Sequence, residues 1–244
     1  MVDCHVHLSG SELSTRVLED AERLGIDRLC VCSLGDFNHT PSHEQCVSAN
    51  RDVVRVMQSH PNKVIGFCYV NPTYTAEAIE EFATCVNQFG MRGLKLWVSN
   101  FATDPRVFPV VEKAQELGAP VLMHAWKKAT GNLPFESTPS HIAELAERFP
   151  GANFIMAHIG GDWERGIKAV RGIPNVYVDT SGSIIEYGMI EAAVETLGAE
   201  RVVFGSDGPG VELAVAFAKV TGAEISEKDK HLILGDNMRR LLGL

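Results

Sequence analysis

Basic residues are in short supply. Against 31 aspartates and glutamates stand 22 lysines and arginines, a net charge of −9 over 244 residues. Phosphate-rich surfaces are gripped by clustered Lys and Arg, so this deficit argues against nucleic acid or an anionic membrane as partner. A small anion held by one or two basic groups is still permitted. No stretch approaches the roughly 18 consecutive apolar residues of a membrane span. The opening MVDCHVHL has no basic segment leading into an apolar one, so no secretory leader is expected. CxxC spacing is missing among the six cysteines, Cys4, Cys30, Cys32, Cys46, Cys68 and Cys85, which argues against a thiolate zinc site. Most of them sit in apolar runs, where Cys packs as a small hydrophobe, so buried free thiols in a reducing cytoplasm are expected. No linker, charge block or low-complexity run divides the chain, and one domain over residues 1–244 is expected.

What is present is a repeat of texture. Eight short apolar runs recur: MVDCHVHL, IDRLCVCSL, KVIGFCYV, RGLKLWV, APVLMHAW, ANFIMAHI, NVYVDTS and RVVFGSD. Runs apolar on both faces suit parallel strands covered by helices. The segments between them carry the helical period: Ile142, Leu145, Ala146 and Phe149 follow i, i+3, i+4, i+7, as do Val107, Val110, Val111 and Ala114. Asp104 before Pro105 and Thr138 before Pro139 read as N-caps followed by Pro at the first helical position. Gly25, Gly90, Gly118 and Gly198 each close an apolar helix face. Eight strand–helix alternations without a hairpin signal predict an α/β fold of the (β/α)8 TIM-barrel type, for which about 250 residues is the usual length. A doubly wound sheet is weaker, since no GxGxxG follows the first run.

Barrels do their chemistry at the carboxyl ends of the strands. The first run ends Asp3-Cys4-His5-Val6-His7, and a period of two sets Asp3, His5 and His7 on one side, with Val2, Cys4 and Val6 on the other. The fifth ends at His124, the sixth at His158 and the eighth at Asp207, while the fourth carries Lys95 between Leu94 and Leu96. Taken singly, each has a plain reading: a hydrogen-bonded core histidine, a helix-capping aspartate, a snorkelling lysine. Their coincidence is the signal. Four of the nine histidines and an aspartate fall at strand ends on one face, the donor set of a catalytic zinc or similar divalent ion. Trp97 and Trp126 end the fourth and fifth runs and are candidates for the pocket wall. His39 and His43 lie in a polar loop on the same side; His60, His141 and His231 fall within or near helices and receive no role.

Asp3-x-His5-x-His7, His124, His158 and Gly205-Ser206-Asp207, in this order, resemble the amidohydrolase superfamily. More narrowly, the chain resembles the amidohydrolase-related branch that contains aminocarboxymuconate-semialdehyde decarboxylase and related metal-dependent hydrolases. The tail from Ile225-Ser226-Glu227-Lys228-Asp229 through Ile233-Leu234-Gly235-Asp236-Asn237 to Arg240-Leu241-Leu242-Gly243 also resembles that branch's closing helices, so the likeness spans Asp3 to Gly243. It implies that His5, His7, His124 and Asp207 surround the metal, with His158 nearby as a ligand of a second metal or a proton donor. It also implies that Lys95 is either a carboxylated lysine bridging two ions or a free ammonium for a substrate carboxylate. One zinc, or another divalent ion such as manganese, is expected per chain, and two if Lys95 is carboxylated.

The expected reaction is hydrolysis of an amide, lactone or ester of a small substrate, with or without a carboxylate. Water bound to such an ion has a pKa near about 7. Asp207 would take its proton and pass it to the leaving group, while His158 polarises the carbonyl. Metal-dependent decarboxylation, a lyase reaction of the same branch, is the alternative. TatD-like nucleases share a DxHxH start and a late aspartate. They place a metal-binding glutamate on strand four, where this chain has Gly93-Leu94-Lys95-Leu96-Trp97, and they are the remote third reading. Specificity is expected to reside in loops 35–45, 98–104, 126–138 and 182–188.

Overall fold

The computed structural model describes residues 1–244. Each apolar run contains one strand: β1 (Val2–His7), β2 (Arg28–Cys32), β3 (Val64–Tyr69), β4 (Gly93–Leu96), β5 (Val121–Met123), β6 (Phe154–Met156), β7 (Val176–Asp179) and β8 (Val202–Val203). They pair in parallel in chain order. Backbone bonds close the ring between the residues after β8 and β1. The Cys4 amide donates to the Phe204 carbonyl at 2.9 Å, that of Asp207 to His5 at 2.8 Å and that of His7 to Gly208 at 2.7 Å. The architecture is the (β/α)8 barrel that the periodicity predicts.

One helix follows each strand: α1 (Thr15–Arg23), α2 (His43–Ser59), α3 (Thr75–Asn87), α4 (Phe108–Glu116), α5 (Pro139–Arg148), α6 (Trp163–Val170), α7 (Met189–Leu197) and α8 (Leu213–Thr221). The predicted stripes of α4 and α5 are buried throughout. Thr138 is the N-cap of α5, with Pro139 in its first turn. The Asp104 cap does not hold: its carboxylate is taken by the Arg106 amide at 2.9 Å and the Arg106 guanidinium at 2.6 Å, which makes a separate turn. The helix starts instead at Phe108, with Pro109 in its first turn. Gly25, Gly90, Gly118 and Gly198 all take positive φ, between 64° and 83°, where a side chain is strained.

Two apolar layers result. Alternate strand residues, among them Val31, Leu94, Val121, Phe154 and Val178, pack outward on the helices. The intervening ones, including Val2, Cys30, Phe67, Leu122 and Ile155, fill the barrel interior. Met238 and Leu242 join that inner layer from α10 (Asn237–Leu242), which follows α9 (Glu227–His231) and a π-helical turn. The turn's Ile233 carbonyl accepts from the Phe204 amide at 2.9 Å, and its Gly235 lies against Met1 and Val2. This tail seals the amino ends of the strands and leaves the carboxyl ends open. All six cysteines are free and buried, as expected. No helix is long and apolar enough to cross a membrane.

One local departure shapes the site. From Asp3 to Val6, β1 advances three residues while its partner β2 advances two, from Leu29 to Val31. This β-bulge breaks the strict alternation. Cys4 stays with Val2 in the inner layer, whereas Val6 turns outward, so the predicted grouping of Cys4 with Val6 is corrected. His5 and His7 both reach the open end of the barrel.

Candidate active site

At that open end a cavity of about 390 Å³ is lined by His5, His7, Lys95, Trp97, His124, Trp126, His158 and Asp207, with Phe37 at its edge. Every site residue expected from the sequence therefore borders one space. His5 and His7 come from β1 and Lys95 from β4, while His124, His158 and Asp207 lie just beyond β5, β6 and β8. The ring of Trp126 lies 4.8 Å from that of His158. His39 joins the wall only indirectly, edge-on to Trp97 at 5.1 Å.

The donors face one another closely. His5 Nε2 lies 3.1 Å from His7 Nε2, and Asp207 Oδ1 lies 3.2 Å from His7 Nε2 and 3.6 Å from His5 Nε2. Ligand atoms of His5, His158 and Asp207 lie within 4.8 Å of one another. His124 Nδ1 is 3.2 Å from His158 Nε2. Lys95 Nζ donates to His5 Nε2 at 2.7 Å.

The remaining ring nitrogens fix the tautomers. His5 Nδ1–H donates to Asp179 Oδ2 at 2.9 Å, His158 Nδ1–H to Ser181 Oγ at 2.9 Å, and His124 Nε2–H to Glu136 Oε1 at 2.9 Å. Ser181 Oγ–H in turn donates to Asp179 Oδ1, and His7 Nδ1 lies 3.4 Å from Cys32 Sγ. His5, His158 and His124 thus each turn a lone pair inward, and His7 Nε2 faces Asp207 Oδ1 at 3.2 Å. Lone pairs opposed at about 3 Å repel unless a cation lies between. Nitrogen and carboxylate donors with their outer nitrogens already hydrogen-bonded are the set a divalent ion takes. The residues present fit such an ion. A second trio, Cys68, Glu81 and Cys85, does not, because Arg51 already holds both oxygens of Glu81 at 2.9 Å.

Burial governs the electrostatics. It lowers His124, pulls His158 well below the ordinary histidine range and brings His5 to about 4, with Lys95 adding to the effect at His5. For His7, burial works against charge, but the neighbouring Cys32 sulfur and Asp207 carboxylate outweigh it and raise the pKa to about 9. Burial would raise Asp207 and Asp179, yet the surrounding imidazoles hold both well below the usual carboxylate range.

Four residues of this network escape the sequence reading: Asp179, Ser181, Glu136 and Cys32. Asp179 and Ser181 carried a legible signal, since they close the apolar run NVYVDTS as Asp207 closes RVVFGSD. Cys32 ends β2 on the inner side, where period two alone makes it a packing residue. Glu136 sits in a loop without periodicity.

The Amidohydrolase family matches residues 2–244. The chain belongs to the amidohydrolase family. It is 24% identical over 235 residues to a 2-amino-3-carboxymuconate-6-semialdehyde decarboxylase of Dictyostelium discoideum, covering 80% of this chain and 65% of that protein. This amidohydrolase-family chain therefore spans just under two thirds of that relative's length. Among solved structures, 2,6-dihydroxybenzoate decarboxylase from Rhizobium superposes with a TM-score of 0.80 at 16% identity, over 99% of this chain and 97% of that one. A dihydroxybenzoic acid decarboxylase from Polaromonas, with bound manganese and 2-nitroresorcinol, gives 0.79 at 18% identity, over 96% and 86%. The structural likeness is one of fold. All three relatives are named as decarboxylases, the reaction expected from the sequence as the alternative rather than the one expected first. Manganese is the ion named among them, which agrees with a divalent metal without specifying zinc.

Proposed function

We propose that this enzyme of the amidohydrolase superfamily is a metal-dependent decarboxylase acting on a small carboxylate whose carboxyl group sits on an aromatic or unsaturated carbon. The observation that carries the reading is a single cavity that joins a metal-donor cluster, one buried ammonium and flat aromatic walls. The decarboxylase relatives support it. His5, His7, His124 and Asp207 would hold one manganese or zinc ion, with His158 beside it. When bound, the ion supplies positive charge that orients a carboxylate with a neighbouring oxygen and draws electron density as carbon dioxide departs.

The chain's own residues do the rest. Trp97 and Trp126 border the space and would hold a planar substrate by stacking. Lys95 Nζ would pair with its carboxylate. Asp207, ionised before substrate arrives, would accept the proton of a hydroxyl next to the carboxyl group. The bond between the ring carbon and the carboxyl carbon then breaks, its electron pair stays on the ring carbon, and Asp207 returns the proton to that carbon. His158, kept neutral by burial and oriented by Ser181, would offer Nε2 to the same hydroxyl.

The test is direct. Protein loaded separately with manganese and zinc is given 2,6-dihydroxybenzoate, related ortho-hydroxybenzoates and 2-amino-3-carboxymuconate-6-semialdehyde, and carbon dioxide release is followed. A panel of lactones and N-acyl amino acids runs beside them. Carbon dioxide from a carboxylate is the expected result. Hydrolysis of a lactone or amide, with no carbon dioxide from any carboxylate, would overturn the proposal.

A further inference from the structure

The four imidazoles of the cluster do not receive their orienting partners in the same way. Asp179, Ser181 and Cys32, which serve His5, His158 and His7, belong to strands or lie just past one. The partner of His124 is Glu136, carried by the loop 126–138. Glu136 is 1% exposed, although residues 129–135 beside it are all exposed. Its Oε1 lies 2.9 Å from His124 Nε2 and 2.7 Å from Lys128 Nζ. Its Oε2 accepts from Lys128 Nζ at 2.9 Å and from the Leu133 amide at 2.9 Å. The base of the loop is clamped separately, by Trp126 N–H to the Ser137 carbonyl at 2.8 Å and Lys127 N–H to the Gly160 carbonyl at 2.9 Å.

A buried carboxylate is stable only while paired, so Glu136 keeps its place only while the loop is folded down. With Glu136 in place, His124 carries its proton on Nε2 and presents Nδ1 as a lone pair to the cluster. With Glu136 withdrawn, nothing holds that tautomer, and a proton on Nδ1 would face the cation. We infer that Glu136 is a positioning residue that sets the ligating nitrogen of His124 and ties occupancy of the metal site to closure of the loop 126–138. The inference rests on the proposed role of His124 as a ligand and is independent of which reaction follows. Linkage is reciprocal: if the closed loop favours the ion, the ion must favour the closed loop. Trp126 lines the cavity from the same loop, with Lys128 Nζ 5.7 Å from the centre of its ring, so the ion also steadies one wall of the pocket.

Two readouts test this, neither of them activity. The first is affinity for manganese and zinc, measured by competition with a chromophoric chelator. Glu136→Leu is expected to lose about 10–100-fold, as removal of a ligand's hydrogen-bonding partner commonly does. Glu136→Gln, which retains an acceptor oxygen, recovers part of the loss. Lys128→Met, which leaves the buried Glu136 carboxylate without its cation, is expected to weaken binding toward the Glu136→Leu value. The second readout is trypsin cleavage after Lys127 and Lys128. Metal should slow it in the wild type and in Glu136→Gln, but not in Glu136→Leu or His124→Ala. If the wild type takes up no metal, both the proposed site and this inference fall. If it does, but Glu136→Leu binds within about twofold of wild type or is still protected by metal, the inference alone is overturned.

Discussion

Asp179 Oδ2 accepts from the Nδ1 of His5 at 2.9 Å, reaching from the end of β7 to β1. Its other oxygen accepts from the His158 amide at 2.7 Å and the Ser181 amide at 3.0 Å. One carboxylate therefore orients one ring and the backbone of another. Asp179→Asn must offer an amide hydrogen to a group that is itself a donor. Metal affinity is expected to fall about 10–100-fold, and the buried mismatch should cost about 1–3 kcal/mol of stability. Isothermal titration and a thermal melt of the metal-free protein measure the two effects, and unchanged values for both would remove Asp179 from the site.

Asp207 is expected to move the proton. Asparagine keeps its shape and one coordinating oxygen but cannot carry a proton to carbon. Asp207→Asn should lower kcat by roughly 10²–10⁴-fold, the usual contribution of positioned acid–base catalysis, with the ion retained at saturating concentration. A metallated variant within threefold of wild-type turnover would assign the proton to another group, with His158 the next candidate.

Lys95 donates to His5 Nε2 at 2.7 Å and is 1% exposed. As a free ammonium it would pair with the substrate's carboxylate and repel the ion slightly. Lys95→Met should retain metal and raise KM for a carboxylated substrate by about 10–100-fold, the worth of a hydrogen bond to a charged group. Metal analysis of the wild type should give one ion per chain. Two ions, with content rising on addition of bicarbonate, would show a carboxylated Lys95 bridging a pair.

Asp3 supplies a pH dependence. Its Oδ1 accepts from the His5 and Ser206 amides, each at 3.0 Å, while Oδ2 is buried with no partner. Burial raises its pKa from 3.8 to about 7. The folded state thus binds this proton more tightly than the unfolded chain. The stabilisation is fully present below pH 3.8 and is lost as pH rises through 7. In chelator-treated protein, Tm of Asp3→Asn minus Tm of wild type should therefore become more positive between pH 5 and pH 8. A difference that is flat with pH would place the proton elsewhere.

The barrel was legible because its signals are local and repeated: all eight apolar runs became strands, and the stripes of α4 and α5 were buried as drawn. The eight site residues were legible because strand ends converge in any closed barrel. The rest depended on contacts between distant segments. Nothing in DCHVH announces the bulge that separates Cys4 from Val6, since a bulge is a mismatch with the neighbouring strand. Glu136 finds His124 only when an aperiodic loop folds back on itself. Asp104 looked like a cap until Arg106, two residues on, claimed its carboxylate. Asp179 differs: its signal matched that of Asp207 and went unused.

His158 and Asp207 share a further property: both hold positive φ, 62° and 66°, without being glycine, and Ile159 follows His158 at 47°. Such backbone conformations cost on the order of 1–3 kcal/mol each and persist only when the surrounding structure enforces them. The protein is therefore tuned against its own thermostability at the residues proposed to handle the proton. A screen that selects only for heat resistance would be free to relax this backbone and so recover a hardier, idle barrel. An engineer raising the melting temperature would hold these two positions fixed and look for gains on the sealed face, where Met238 and Leu242 plug the barrel.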